Sequence, residues 1–347
     1  MNDLVIIPQS NKSIIANIEN DTIKEIEKID IPFNSKSIIT KNNLVVSLCY
    51  EIDNRYSKEA LINSSLLSSL CKTYTLKIHN LKGDLIFEKK NANYKAINFI
   101  DNIVYLGGEY KKGLGGEFYN KGEMFSVINL DKLEFKTNQI DLPIKIIDGK
   151  SIDDILINRK ELILVDNIVY PKYLIKYNIS SPQNPVHIET QELPNNGTYE
   201  HIIKGDINDD WMILYSSTYG RGGGSEHITV SGNTQGHLYL HDSLSFHYRD
   251  IVLIKNKLFI LRSDGLGFID LNKTISDNEF KFIKTDLSNI SRIIKSRSDK
   301  LIAINESGYE LINDEPLTKY NNNGGVTDSL KDSANNNLWS KFKKLWF

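Results

Sequence analysis

The chain has 347 residues, 40% hydrophobic and 25% charged, an ordinary globular composition that excludes a fibrous or wholly disordered protein. Lys and Arg number 42 against 44 Asp and Glu, so no basic excess exists to neutralise many phosphates, and no nucleic acid is expected as a partner. Two cysteines, Cys49 and Cys71, are too few for a disulfide framework, and no apolar run is long enough to cross a bilayer. The leading MNDLVIIPQSNKS lacks the charged and apolar regions of a secretory signal, so the expected setting is a reducing cytoplasm. Heavy use of Ile, Asn and Lys suits an AT-rich genome and points to a bacterium.

From the amino end, LVIIPQ (from Leu4) predicts a strand, and SIIANIENDTIKEIEKIDIP (from Ser13) predicts a hairpin. Six stretches then share one pattern, a polar turn followed by a burst of β-forming residues. They are KNNLVVSL from Lys41, DNIVYLGG from Asp101, RKELILVD from Arg159, NDDWMILY from Asn208, KNKLFILR from Lys255 and SDKLIAIN from Ser298. The first apolar residues after the turns are Leu44, Ile103, Leu162, Trp211, Leu258 and Leu301, spaced 43–59 residues apart. A further strand precedes each turn: KSIITK, KAINFI, IDDILI, EHIIKG, RDIVLI and ISRIIK. An alternating hairpin follows most of them, as in TLKIHNLKGDLIFEKK and LGFIDLNKTISDNEFKFIKTDL. Four strands per unit, A to D from the axis outward, recurring at this period, predict an all-β fold, a single β-propeller over residues 1–320. Seven blades are expected, with six as the alternative. The chain starts partway into a blade, so strands from both termini are expected to close the ring, with SGYELIND and EPLTKY at the carboxyl end.

One blade resembles the kelch type: Gly107-Gly108 follows strand B, and INLDKLEF with Pro143 resembles the end of a kelch unit. The other blades lack the doublet, and WD40-type Trp-Asp dipeptides are absent, so no specific family is assigned to this degenerate kelch-like or WD40-like architecture. The resemblance implies partner binding more than catalysis.

The A–B turns are short, whereas long connections fall between strands B and C, at Glu51–Ser69, Glu109–Gly122 and Ser216–Glu226. The first predicts a short helix, with Ser57 as N-cap and a stripe of Ala60, Leu61, Leu66, Leu67 and Leu70. The other two carry Tyr110, Leu114, Phe118, Tyr119, Tyr219 and Arg221 among glycines, residue types that dominate protein interfaces. They are the candidate interaction loops. The glycine runs GLGGEF and GRGGGS lack the following helix that a phosphate cradle needs. His237 and His241 share a strand face in HLYLH and are weak metal candidates; no metal or other cofactor is assigned. No HExxH, paired CxxC or nucleophile elbow occurs, so no catalytic residue is assigned and the reading leans away from an enzyme.

Residues 321–337 form an asparagine-rich linker. In the closing LWSKFKKLWF (338–347), Leu338, Trp339, Phe342, Leu345 and Trp346 form the apolar surface of an amphipathic helix too short to stand alone in water. Its expected docking sites are the propeller itself or a protein partner, with a membrane surface the least favoured. The function expected is a monomeric, non-enzymatic protein-binding propeller, of bacterial immunity or inhibitor type, working through the B–C loop face. The alternatives are a carbohydrate-binding or hydrolytic propeller with a site at the channel mouth, and a membrane-associated scaffold held by the tail.

Overall fold

The computed structural model describes residues 3–10, 12–33, 35–52, 72–90, 92, 94–112, 118–119, 124–132, 135–147, 149–158, 160–166, 171–193, 199–220, 223–232, 238–241, 248–272 and 280–313. The strands form the blades of a seven-bladed β-propeller, so the count of seven holds. The predicted helix at 57–70, Cys71, the strand at EPLTKY and the tail from 338 lie outside the described residues. Two compact units divide the chain, Met1–Val169 with Tyr177–His187, and Tyr170–Lys176 with Ile188–Phe347.

In the first unit, the opening blade is a three-stranded sheet of β1 (Leu4–Ile7), β2 (Ser13–Glu19) and β3 (Thr22–Ile29). The second blade orders β4 (Lys36–Ile39), β5 (Val45–Ile52), β6 (Lys72–His79) and β7 (Leu85–Lys89). The third orders β8 (Tyr94–Ile100), β9 (Ile103–Gly108), β12 (Phe125–Asn129) and β13 (Thr137–Gln139) outward. Between its second and third strands lies a small hairpin of β10 (Lys111–Lys112) and β11 (Phe118–Tyr119). The fourth sheet, of which β14 and β15 belong to this unit and β16 and β17 are divided between the two, runs β14 (Ile152–Ile157), β15 (Glu161–Asp166), β16 (Lys172–Asn178), β17 (Val186–Leu193).

In the second unit, the fifth blade comprises β18 (Tyr199–Ile207), β19 (Trp211–Gly220), β20 (Gly223–Gly232) and β21 (Leu238–His241). The sixth comprises β22 (Tyr248–Ile254), β23 (Lys257–Arg262), β24 (Gly265–Asp270) and β25 (Lys281–Phe282). The seventh has β26 (Arg292–Lys295), β27 (Leu301–Ile304) and β28 (Tyr309–Ile312).

The second strand of a blade is covered on both faces, which is why it reads as an unbroken apolar run. The ELILVD of β15 is buried from Leu162 to Asp166, and the IVYLGG of β9 throughout. Outer strands face water on one side and carry charge: the TIKEIEKI of β3 is exposed along most of its length, which discourages edge-to-edge pairing. The core lies between consecutive sheets. Val46, Leu76, Tyr94 and Leu106 pack the second sheet on the third, and Trp211, Ile228, Ile251 and Leu258 pack the fifth on the sixth. Gly107 shows why one blade carries the doublet. A Cβ there would stand 2.5 Å from Ile152 Cγ2 and 3.0 Å from its carbonyl oxygen, so only glycine lets β14 lie this close.

The innermost strands share one device. A register shift interrupts the pairing at Tyr94/Ala96, Ile152/Asp154, Ile202/Lys204 and Tyr248/Asp250, a bulge of one residue in four successive blades. Beyond the bulge in the third, fifth and sixth blades a polar side chain reaches the next innermost strand. Asn98 donates to Ile155 O (2.7 Å). Asp206 Oδ2 accepts from Leu253 N (2.8 Å), and Asp250 Oδ2 from Ile293 N (2.9 Å). Lys204 pairs with Asp250, and Lys295 with Asp206.

Two outcomes follow for stability. Asp250→Ala strands the buried Ile293 amide and is expected to lower unfolding free energy by about 1–3 kcal/mol in urea titration. His79, at the end of β6, is 4% exposed, and burial, aided by the Lys77 charge and opposed by Asp30, holds its imidazole below the ordinary 6.5. The unfolded chain therefore takes up a proton that the folded one refuses, so stability falls as pH drops below the ordinary value. Thermal melts between neutral and mildly acidic pH should show a smaller loss in His79→Gln than in the parent.

Candidate functional site

Of the residues singled out on the B–C side, Tyr110 is the one whose surroundings are described. It follows β9 and lines a cleft of about 350 Å3 with Met124, Ile140, Leu142, Ile146 and the polar pair Gln139 and Asp141. The cleft is set by backbone bonds. Gly108 N donates to Met124 O (2.8 Å), and Ile140 N to Phe125 O (2.8 Å). Tyr110 N donates to Lys150 O (2.7 Å), and Gly149 N returns a bond to Tyr110 O (2.8 Å). Gly149 adopts φ +81° inside a turn closed by Lys150 N to Ile147 O (3.1 Å), a backbone state that favours glycine. Next to these bonds, Glu109 and Ser151 form an isolated antiparallel bridge. The segment at 140–150 is thereby stitched to the end of β9, and both walls of the cleft are fixed before any ligand arrives.

Two buried ion pairs lie at this end of the sheets. Lys150 Nζ meets Asp166 Oδ2 at 2.5 Å, with the side chains 1% and 0% exposed. Lys95 Nζ meets Glu109 Oε1 at 2.9 Å. Each carboxylate is thus held by an ammonium in a nearly dry setting, which makes both structural groups rather than acids or bases poised for catalysis. What remains at the cleft is an aromatic ring with a hydroxyl, a thioether, three aliphatic side chains, the Gln139 amide and one exposed carboxylate. That set suits an apolar side chain.

Phe118 and Tyr119 form β11, paired with Lys112 and Lys111. Leu114 and Arg221 lie outside the described residues. Tyr219 corrects the expectation of a loop at Ser216–Glu226. It belongs to β19, opposite Tyr199 on one side and Gly224 on the other, and the ladder continues to Gly220↔Gly223. The supposed insertion is a hairpin prolonging β19 and β20. Its glycines and serines pair well because a ladder needs backbone groups, not side chains. His241 sits in β21 opposite His227, and His237 lies outside the described residues. Among the described residues no group of three or more His, Cys, Asp or Glu side chains is placed to hold a metal ion. Cys49 is buried, its thiol donating to Ser47 Oγ at 3.7 Å. Met124, Ile140, Leu142 and Ile146 were not singled out from sequence; the signal there was the alternation of apolar residues in IDLPIKI, from Ile140 to Ile146.

No family model matches the chain, and no curated protein does. Among solved structures it is similar to the extracellular domain of a hybrid two component system from B. thetaiotaomicron, at 11% identity and TM-score 0.49. It spans 38% of that protein, which in turn covers 90% of this chain. It is similar to a prolyl endopeptidase structure at 9% identity and TM-score 0.47, over 87% of this chain and 45% of that one. The β-propeller domain of the Trilobed protease from Pyrococcus furiosus matches at 7% identity and TM-score 0.41, over 77% of this chain and 74% of that one.

Lys150→Met leaves the Asp166 carboxylate buried without its ammonium and should cost about 3–5 kcal/mol of stability. The double variant Lys150→Met/Asp166→Leu should regain most of that loss in a chemical denaturation series.

Proposed function

We propose that the chain is a cytoplasmic, non-enzymatic propeller that recognises a protein through the B–C side of its blades, with the Tyr110 cleft as its anchoring pocket. The observation that carries this reading is the prefixed cleft. Its walls are held by reciprocal backbone bonds between Tyr110 and the 149–150 turn, so little ordering entropy is lost when an apolar side chain enters. Aromatic anchors in dry pockets supply most of the energy of protein interfaces. The prolonged β19–β20 hairpin adds a second projection on a B–C connection. The inner-strand carboxylates support the absence of catalysis: Asp206 and Asp250 are each committed to a lysine and a backbone amide. The role proposed is of bacterial immunity or inhibitor type, the monomeric chain masking a partner's active surface.

Affinity capture from bacterial lysate with three baits tests the reading: the intact chain, Tyr110→Ala/Ile146→Ala, and a chain ending at Tyr320. A stoichiometric protein partner should bind the intact and shortened chains and lose about tenfold or more in affinity, about 1.4 kcal/mol, with the cleft variant. Retention by the cleft variant, loss with the truncation alone, or no partner at all would contradict it.

A further inference from the structure

We propose, resting on the Tyr110 cleft as the anchoring pocket, that its occupant is an extended partner segment with an apolar side chain flanked by lysine or arginine. The cation of that segment meets Asp141. Among the described residues that line the cleft, Asp141 alone carries a charge. It is exposed, and no hydrogen bond or ion pair to it exists among the described residues. The ammonium groups of Lys95 and Lys150 are already committed to Glu109 and Asp166. Lys145 is exposed too, but it makes no ion pair with Asp141 and does not line the cleft. An apolar hollow with one unneutralised negative charge on its rim complements an apolar side chain beside a cation.

Local structure explains why the charge stands there. In IDLPIKI, Ile140, Leu142, Ile144 and Ile146 are half-buried, while Asp141, Pro143 and Lys145 are exposed. This is the period of an extended chain with one side leaning on the protein. Ile140 lies one residue beyond β13, and its N–H donates to Phe125 O at 2.8 Å. By antiparallel alternation the N–H and C=O of Asp141 then turn away from β12. β13 is the outermost strand of its sheet, and no backbone group from Asp141 to Ile146 is hydrogen-bonded to another described residue. Such a stretch is a template for an extended segment laid alongside it. Pro143 removes one donor, and the chain bends at Pro143 and Ile144, so pairing is confined to the residues around Asp141. That suits a short segment and resists the long edge-to-edge pairing that would join two copies.

The parts act together. The apolar side chain fills the cleft, and backbone pairing at Asp141 brings a neighbouring cation to the carboxylate. A surface ion pair adds little affinity by itself. Its effect is on choice of partner, because an acidic flank at the same place is repelled.

Selection from a random linear peptide library displayed on phage tests the assignment. The full chain is the bait, and Tyr110→Ala/Ile146→Ala, with unchanged circular dichroism, is the counter-bait. Peptides enriched by the parent alone should carry Leu, Ile, Met or Phe beside Lys or Arg. Synthetic copies should lose about two- to fivefold in affinity with Asp141→Asn, and added salt should weaken binding to the parent more than to that variant. Selection on Asp141→Lys should return acidic flanks instead. A cleft-dependent apolar consensus without a basic flank, or unchanged affinity in Asp141→Asn, would overturn the proposal and leave the Tyr110 reading standing. Peptide binding seen only in a chain ending at Tyr320 would overturn it too, by assigning the cleft to the lysine-bearing segment 338–347 of this chain. Absence of any cleft-dependent peptide would also overturn it, and the lysate capture then judges the Tyr110 reading separately.

Discussion

An innermost strand has a neighbour in its own sheet on one side only, and the amides and carbonyls of its other edge must find partners elsewhere. In this protein side chains from the preceding blade supply them. Asp206 accepts from Leu253 N, Asp250 from Ile293 N, and Asn98 donates to Ile155 O. Lysines close the arrangement: Lys295 reaches Asp206 and also donates to Leu253 O at 3.1 Å. Each carboxylate therefore meets a cation and an amide at once, which stabilises its charge despite partial burial. The repeated bulge belongs to the same solution. One extra residue bends the strand, and the polar side chain beyond it reaches across to the next blade.

A frame fixed in this way constrains what the connections do. Gly107 lets β14 approach β9 closely, and from that junction the chain passes directly to Glu109 and Tyr110. The buried pairs Lys95–Glu109 and Lys150–Asp166 hold the same junction from within the protein. Their net stabilisation is modest because both partners lose hydration, but either one alone would be costly, so the pairs specify one arrangement of the 140–150 segment. The Tyr110 cleft is thus formed where the connection after β13 is held against the end of β9. On the turn side the constraint is local geometry. Positive φ recurs in four of these turns, at Asn43, Asp101, Lys255 and Asp299.

Much of the fold was legible because the second strands are buried on both faces and the turns before them are polar; LILV at 162–165 and LFIL at 258–261 could hardly be anything else. Seven units followed from counting them. The bulges were not legible, since a single added residue at Lys95 or Asp153 leaves the apolar pattern of the strand recognisable. The hairpin at 216–226 was read as a loop because glycine and serine carry no side-chain periodicity, while the ladder there depends on the backbone. Tyr110 stood out as an aromatic among glycines, yet the other wall of its cleft, Ile140 to Ile146, lies some thirty residues along the chain and meets it only through packing. Lys150 and Asp166 gave no sign in sequence, because a lysine and an aspartate sixteen residues apart are ordinary until burial pairs them.

Amide hydrogen exchange at Leu253 and Ile293 tests the central claim most directly. Both amides point away from their own sheet toward carboxylates of the preceding blade. If side chains seal these strand edges, the two amides should exchange as slowly as the ladder amides of β23, with opening free energies close to that of global unfolding. Exchange at the rate of exposed turns would show that the inner edges are open and would contradict the account.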